Sequence, residues 1–125
     1  MPLKNDALFN INKIMHDDGN INATLDINKG CNIFNGHFPG QPVVPGACML
    51  QIVKEVLEAA LNTSLRLKKA DNLKFMAVID PENTQTVKLE VACKFTGDDV
   101  NVIAKLVNGD VVYFKLQGSF LTRLP

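Results

Sequence analysis

The sequence of 125 residues predicts an α+β fold, a curled antiparallel sheet wrapped around one long helix, in a single domain spanning 1–125. Three observations carry this prediction. One segment alone has a strong helical pattern, and apolar residues cover most of its circumference. Several other segments alternate apolar and polar residues at the two-residue period of a strand. Gly-, Asp- and Asn-containing turn pairs separate those strands. A helix apolar on most sides must be surrounded. With one such helix and five or so strands, the sheet has to curl around it. An open curled sheet leaves an edge strand to be covered or paired, so a dimer is expected.

Near the N-terminus, "FNINKIMHDDGNINATLDI" reads as a hairpin. Ile21, Ala23, Leu25 and Ile27 alternate with polar residues, and Asp18-Gly19 is a turn pair that tolerates positive φ. His16 falls at the end of the first strand and reads as an exposed edge histidine. The helix runs from 46 to about 62, with no interior Gly or Pro and many good helix formers. Its polar residues, Gln51, Lys54, Glu55, Glu58 and Asn62, form one narrow stripe at 100° per residue. The wide apolar remainder predicts burial on most sides. Residues 73–79 read as a short strand ended by Asp80-Pro81. Val87, Leu89, Val91, Cys93 and Phe95 form the next, and Gly97-Asp98 turns the chain. Val102, Ala104 and Leu106 lead to Asn108-Gly109, a strong hairpin signal. Val112, Phe114, Leu116 and Phe120 mark the last strand. No repeat, low-complexity tract or linker interrupts the pattern.

Apolar residues make up 46% of the chain and charged residues 21%, an ordinary globular composition. A chain of this length buries about two-thirds of its unfolded surface. Lys+Arg and Asp+Glu number 13 each, so no global field gathers nucleic acid. No apolar run reaches the roughly 18 residues of a membrane span, and "MPLKNDALFN" lacks the pattern of a secretion signal. Cys31, Cys48 and Cys93 are widely spaced and include no CxxC pair. Buried reduced thiols in a cytoplasmic protein fit them best, and neither a disulfide framework nor a metal site is expected.

The segment "NGHFPGQPVVPGACMLQ", residues 35–51, concentrates the chemistry. His37 titrates near neutral pH and suits proton transfer. Gly36 and Gly40 allow close backbone approach, and Pro39 and Pro42 fix φ around it. Gly46 opens the helix, where unpaired N–H groups and partial positive charge favour a ligand oxygen.

This segment resembles the signature of the FabA/FabZ family of β-hydroxyacyl-(acyl carrier protein) dehydratases. The shared pattern, G-H-F-P-G-x-P-x-x-P-G running straight into a long helix, covers about 17 residues, and the order of elements is similar over nearly the whole chain. The resemblance implies a hotdog fold, two subunits paired edge to edge, and active sites at their interface. It implies that His37 removes a proton from C2 of a 3-hydroxyacyl thioester and that the Val43 carbonyl orients His37. The Gly46 amide would hold the thioester carbonyl, with Phe38 and Ala47 completing the substrate-binding surface. No cofactor and no metal is implied. Substrate would arrive on acyl carrier protein.

One position departs from the family. Where the family places a Glu or Asp, fourteen residues after the histidine and acting from the partner subunit, this chain has Gln51. A carboxylic acid protonates the leaving hydroxyl, whereas an amide only hydrogen-bonds to it. Glu55, one turn further along, is a secondary candidate for the acid. The expected activity is dehydration of carrier-bound 3-hydroxyacyl chains to trans-2-enoyl thioesters, in fatty-acid-like or polyketide-like synthesis, slowed by Gln51. The alternatives are a partner subunit of a heterodimeric dehydratase, an acyl thioesterase, or an acyl-binding protein. "LRLKKADNLKF", with Arg66, Lys68, Lys69 and Lys74, is a candidate basic patch for an acidic carrier, or else a solvated loop.

Overall fold

A computed structural model describes residues 8–31 and 44–122. The elements run β1 (Phe9–Asp17), β2 (Asn20–Ile27), α1 (Gly46–Leu61), β3 (Leu65–Phe75), β4 (Thr86–Thr96), β5 (Asp99–Asn108) and β6 (Val111–Thr122). The six strands form one antiparallel sheet in the order β1-β2-β4-β5-β6-β3. Helix α1 approaches β1 and β2 at one margin and β3 at the other, more closely than the central strands. Both margins therefore bend toward the helix, which is the curl the apolar helix demanded. This is the hotdog arrangement that the sequence resemblance implies.

The turns supply the pairing. Asp18 and Gly19 take φ of 49° and 83°, positive at both central positions as a tight type I′ hairpin needs. Between β5 and β6, Asn108 stays paired with Val111, so the turn is Gly109-Asp110, one residue later than expected. Alternation on β2, β4, β5 and β6 then sorts side chains by face. Ile21, Leu25, Leu89, Leu106, Phe114 and Phe120 are buried against α1 in one continuous core. His16 lies opposite Ile21 at the end of β1 and is exposed, as expected.

In α1, Met49, Ile52, Val53, Val56 and Leu57 are buried. Cys48, Leu50, Ala60 and Leu61 are half-buried against the same core. The expected burial on most sides fails at Ala47 and Ala59, which share an exposed stripe with Gln51 and Glu55 at every fourth position. Asn62 ends the helix in the left-handed region, at φ 53° and ψ 46°. The Glu58 carboxylate then accepts from the Leu65 N–H at 2.8 Å, fixing the start of β3.

Strand β3 differs most from expectation. It begins at Leu65 rather than 73, ends at Phe75, and takes in the basic segment that reads as a loop. The cause is twofold. β3 is an edge strand with solvent on most of its length, so its residues do not alternate in burial. Its register against β6 also slips twice, between Leu67 and Lys69 and between Ala70 and Asn72, which breaks the two-residue period. At these bulges its backbone lies so close to β6 that a Cβ on Gly118 would come within 2.3 Å of the Lys69 carbonyl oxygen. Residues 76–79 leave the strand, and the Met76 N–H donates to the Tyr113 carbonyl at 2.8 Å. Of the three cysteines only Cys31 is fully buried, while Cys48 and Cys93 are half-buried. No helix among the described residues is long and apolar enough to cross a membrane.

Candidate active site

The chain reaches the helix through Pro45, which is extended at φ −64° and ψ 145° and has no N–H of its own. The helix starts at Gly46 with no side-chain cap and no acidic residue in its first turn. The Cys48 N–H folds back onto the Pro45 carbonyl at 3.1 Å. Among the described residues nothing else offsets the positive end of the helix dipole, so the first amides are left for an incoming oxygen. The Val44 N–H donates to the Ile79 carbonyl at 3.0 Å, tying this entrance to the segment that follows β3.

That tie brings Phe75 onto the helix terminus. A Cβ on Gly46 would lie 2.7 Å from Phe75 Cε1 and 2.8 Å from Cζ. A side chain at 46 would have to displace the ring, a reason for glycine that the sequence alone did not reveal. Phe75 also stacks in a tilted contact with Phe114, with centroids 5.2 Å apart. Around this junction lies an open groove of about 500 Å³, lined by Val44, Gly46, Met49, Phe75, Met76 and Val78. Its walls are apolar and it ends at the uncapped helix terminus. An acyl chain with a carbonyl at its head matches both properties.

Of the predicted site residues, Gly46 lines this groove. His37, Phe38 and Val43 lie outside the described residues. Ala47 and Gln51 do not line the groove; both sit on the exposed stripe of α1, as does Glu55. Gln51 is about 7.5 Å along the helix axis from Gly46 and turned away from it. Phe75, Met49, Met76 and Val78 are groove residues that sequence reasoning missed. Phe75 reaches Gly46 through nonlocal pairing with β6, which leaves no local pattern to read.

The expected basic patch is also rearranged. Lys68 pairs with Asp99 at 2.8 Å and Lys69 with Asp71 at 3.0 Å, so two of its four cations have carboxylate partners. Beside the first turn of α1, burial pushes the Cys48 thiol above its ordinary value of 9.0, and the nearby Cys31 and Glu55 charges add to this. Cys48 is accordingly a protonated thiol near neutral pH, unsuited to act as a nucleophile. No group of three or more His, Cys, Asp or Glu side chains that could hold a metal occurs among the described residues.

A single helix held in a six-stranded curled sheet, with an apolar groove at its bare N-terminus, defines a hotdog-fold protein. The chain belongs to the ApeI-like dehydratase family, whose model matches residues 13–109. A 3-hydroxyacyl-(acyl-carrier-protein) dehydratase FabZ from Rhizorhabdus wittichii is 30% identical over 95 residues, 64% of this chain and 60% of that protein. A FabZ from Legionella pneumophila strain Lens is 28% identical over 88 residues, 70% of this chain and 55% of its own length. The matches thus span less than two-thirds of these relatives. Among solved structures, the dehydratase heterocomplex ApeI:P from Xenorhabdus doucetiae superposes with a TM-score of 0.73 at 17% identity, covering 90% of this chain and 97% of that one. A sigma28-regulated virulence protein from Campylobacter jejuni gives 0.71 at 13% identity, covering 98% and 89%. At these identities the structural likeness speaks for the fold.

Proposed function

We propose that the protein dehydrates 3-hydroxyacyl thioesters carried on acyl carrier protein, yielding trans-2-enoyl thioesters and water. The observation that carries this reading is the bare helix terminus at Gly46, opening onto an apolar groove in a chain of this family. The Gly46 amide holds the thioester carbonyl and lowers the cost of removing the C2 proton. His37 takes that proton, oriented by the Val43 carbonyl. The C2 electron pair forms the new double bond as the C3–O bond breaks and hydroxide leaves with a proton as water. Phe38 and Ala47 belong to the surface that holds the acyl chain and its carrier arm.

Gln51 faces away from its own groove and toward solvent, and we place it at the active site of a second subunit. An amide does not protonate the leaving hydroxyl, so His37 has to return its proton there. General acid help of this kind is worth roughly 10²–10⁴ in rate. The two subunits pair along β3 and the segment just after it, where Leu73, Phe75, Met76 and Val78 are exposed. The reading places the chain in the cytoplasm.

The test is formation of enoyl thioester from 3-hydroxyacyl carrier protein by wild type, His37→Ala and Gln51→Glu. We expect slow turnover, none in His37→Ala, and at least a tenfold gain in Gln51→Glu. A folded dimer that turns over no chain length, with or without Glu at 51, overturns the reading. Gln51 on an exposed stripe also favours a second reading, in which a homologous hotdog subunit supplies the missing acid. The ApeI:P likeness supports that arrangement. Activity that appears only on mixing with a Glu-bearing homologue, and that still needs His37 of this chain, selects it.

A further inference from the structure

Space at the start of α1 is set by one aromatic ring. Phe75 ends β3 directly opposite Phe114 on β6, and the two rings stack with centroids 5.2 Å apart and planes 35° apart. Phe114 is fully buried, so the Phe75 ring rests on a fixed partner. One residue on, the Met76 N–H donates to the Tyr113 carbonyl at 2.8 Å, which pins the backbone beside the ring. The far edge of the ring meets Gly46. Its Cε1, Cζ and Cδ1 atoms lie 2.7, 2.8 and 3.3 Å from where a Cβ on Gly46 would stand. Carbon atoms in contact settle about 3.5–4.0 Å apart. A methyl-sized group at this spot therefore has to push the ring off Phe114.

We infer that Phe75 selects thioesters unbranched at C2, the carbon next to the carbonyl. The inference rests on the dehydration reading, in which the Gly46 amide holds the thioester oxygen. That amide nitrogen and the absent Cβ share one Cα and are about 2.5 Å apart. An oxygen accepting from the amide at about 2.9 Å is then about 4 Å from the space the ring denies. C2 is two bonds from that oxygen, so its substituents come against the ring. Two hydrogens fit there, while a methyl branch meets the ring as a Cβ would. The selection is one of space, because a 2-methyl-3-hydroxyacyl thioester still carries the one C2 hydrogen that dehydration removes. Farther from Gly46 the groove is open and walled by Val44, Met49 and Val78, so a branch near the far end of the chain is not selected against.

The test compares 3-hydroxyacyl carrier protein with its 2-methyl counterpart, supplied as both C2 epimers, and with a chain branched at its penultimate carbon. We expect wild type to prefer the unbranched chain to the 2-methyl chain at least tenfold in kcat/KM, and to use the distally branched chain as well as the unbranched one. Phe75→Leu removes Cε1 and Cζ but keeps an apolar side chain, and most of the preference should vanish with them. Val78→Ala, on the open wall of the groove, should keep it. The same comparison is made without turnover, by calorimetric titration of the full chain with saturated acyl pantetheine thioesters with and without the 2-methyl group. Wild type should bind the unbranched one at least tenfold tighter. No turnover of any chain, with that binding preference intact, removes the dehydration reading and leaves the C2 selection standing. Equal use of the unbranched and 2-methyl chains by an active enzyme, equal affinity or none for the saturated pair, rejection of the distal branch as strong as that of the 2-methyl group, or a preference unchanged in Phe75→Leu would each overturn it.

Discussion

The sheet has two edges, and they are built differently. β1 joins its neighbour through a two-residue turn, so its pairing is local. A bulge between Ile11 and Lys13 interrupts that edge, and the Asn12 side chain ties the bulge back to Asp26 Oδ2 at 2.9 Å. Such a bulge, with a lysine beside it, discourages further pairing. β3 pairs instead with β6, far along the chain, and gathers Leu73, Phe75, Met76 and Val78 in and just beyond its last turn of pairing, all exposed. One edge closes the sheet, while the other carries the apolar surface that a further strand or subunit needs. The groove at Gly46 sits under the second edge, so the proposed second subunit would adjoin it.

The largest expected effect tests how tightly β3 is seated. Gly118→Ala drives a Cβ into the Lys69 carbonyl, and backbone cannot move aside as a flexible side chain does. We expect a loss of about 3 kcal/mol, against less than about 1 kcal/mol for Asn12→Ala at the exposed bulge of β1. Urea unfolding measures both, and equal losses would erase the distinction between the edges. Next, Gly46→Ala should cost about 1–3 kcal/mol through its clash with the Phe75 ring. Phe75→Leu in the same chain should recover most of that loss, which a general helix-start defect would not permit.

A smaller effect concerns assembly. Leu73→Asp with Val78→Asp should shift the protein toward monomer by at least tenfold in dissociation constant, measured by light scattering. Met15→Asp on β1, although 56% exposed, should leave assembly unchanged. The smallest effect is at Cys48. Its thiol pKa is raised in the folded chain, so the folded state holds its proton more tightly than the unfolded chain does. Stability from this source is present below pH about 9 and is lost as pH rises through the folded pKa. Alkylation at pH 8 should be slower at Cys48 than at a free cysteine, and Glu55→Gln should quicken it slightly.

Legibility in the sequence followed the locality of the signal. The hairpin at Asp18-Gly19, the helix from Gly46 and the strands β4 to β6 each declare themselves by a turn pair or a period within a few residues. β3 did not, because an edge strand wet on most of its length has no alternation to show and two bulges shift its phase. The helix terminus at Gly46 was readable from Pro45-Gly46. Its partner Phe75 was hidden, since only pairing with β6 brings that ring back. The lysines of 66–74 read as one patch, but Asp99 and Asp71 reach two of them through strand geometry that a linear reading does not hold.

The attachments at the two ends of β3 make a splint. At its start, Glu58 near the C-terminus of α1 holds the Leu65 N–H at 2.8 Å. At its finish, the Phe75 ring presses on Gly46, and Val44 is bonded to Ile79 at 3.0 Å. Helix and edge strand are thus lashed together at both ends, like two poles bound top and bottom. A push on the outer pole is felt at the tip of the inner one. A strand paired along the open edge would therefore act on the helix tip through these two attachments, and slower amide exchange at the start of α1 on pairing is the expected sign.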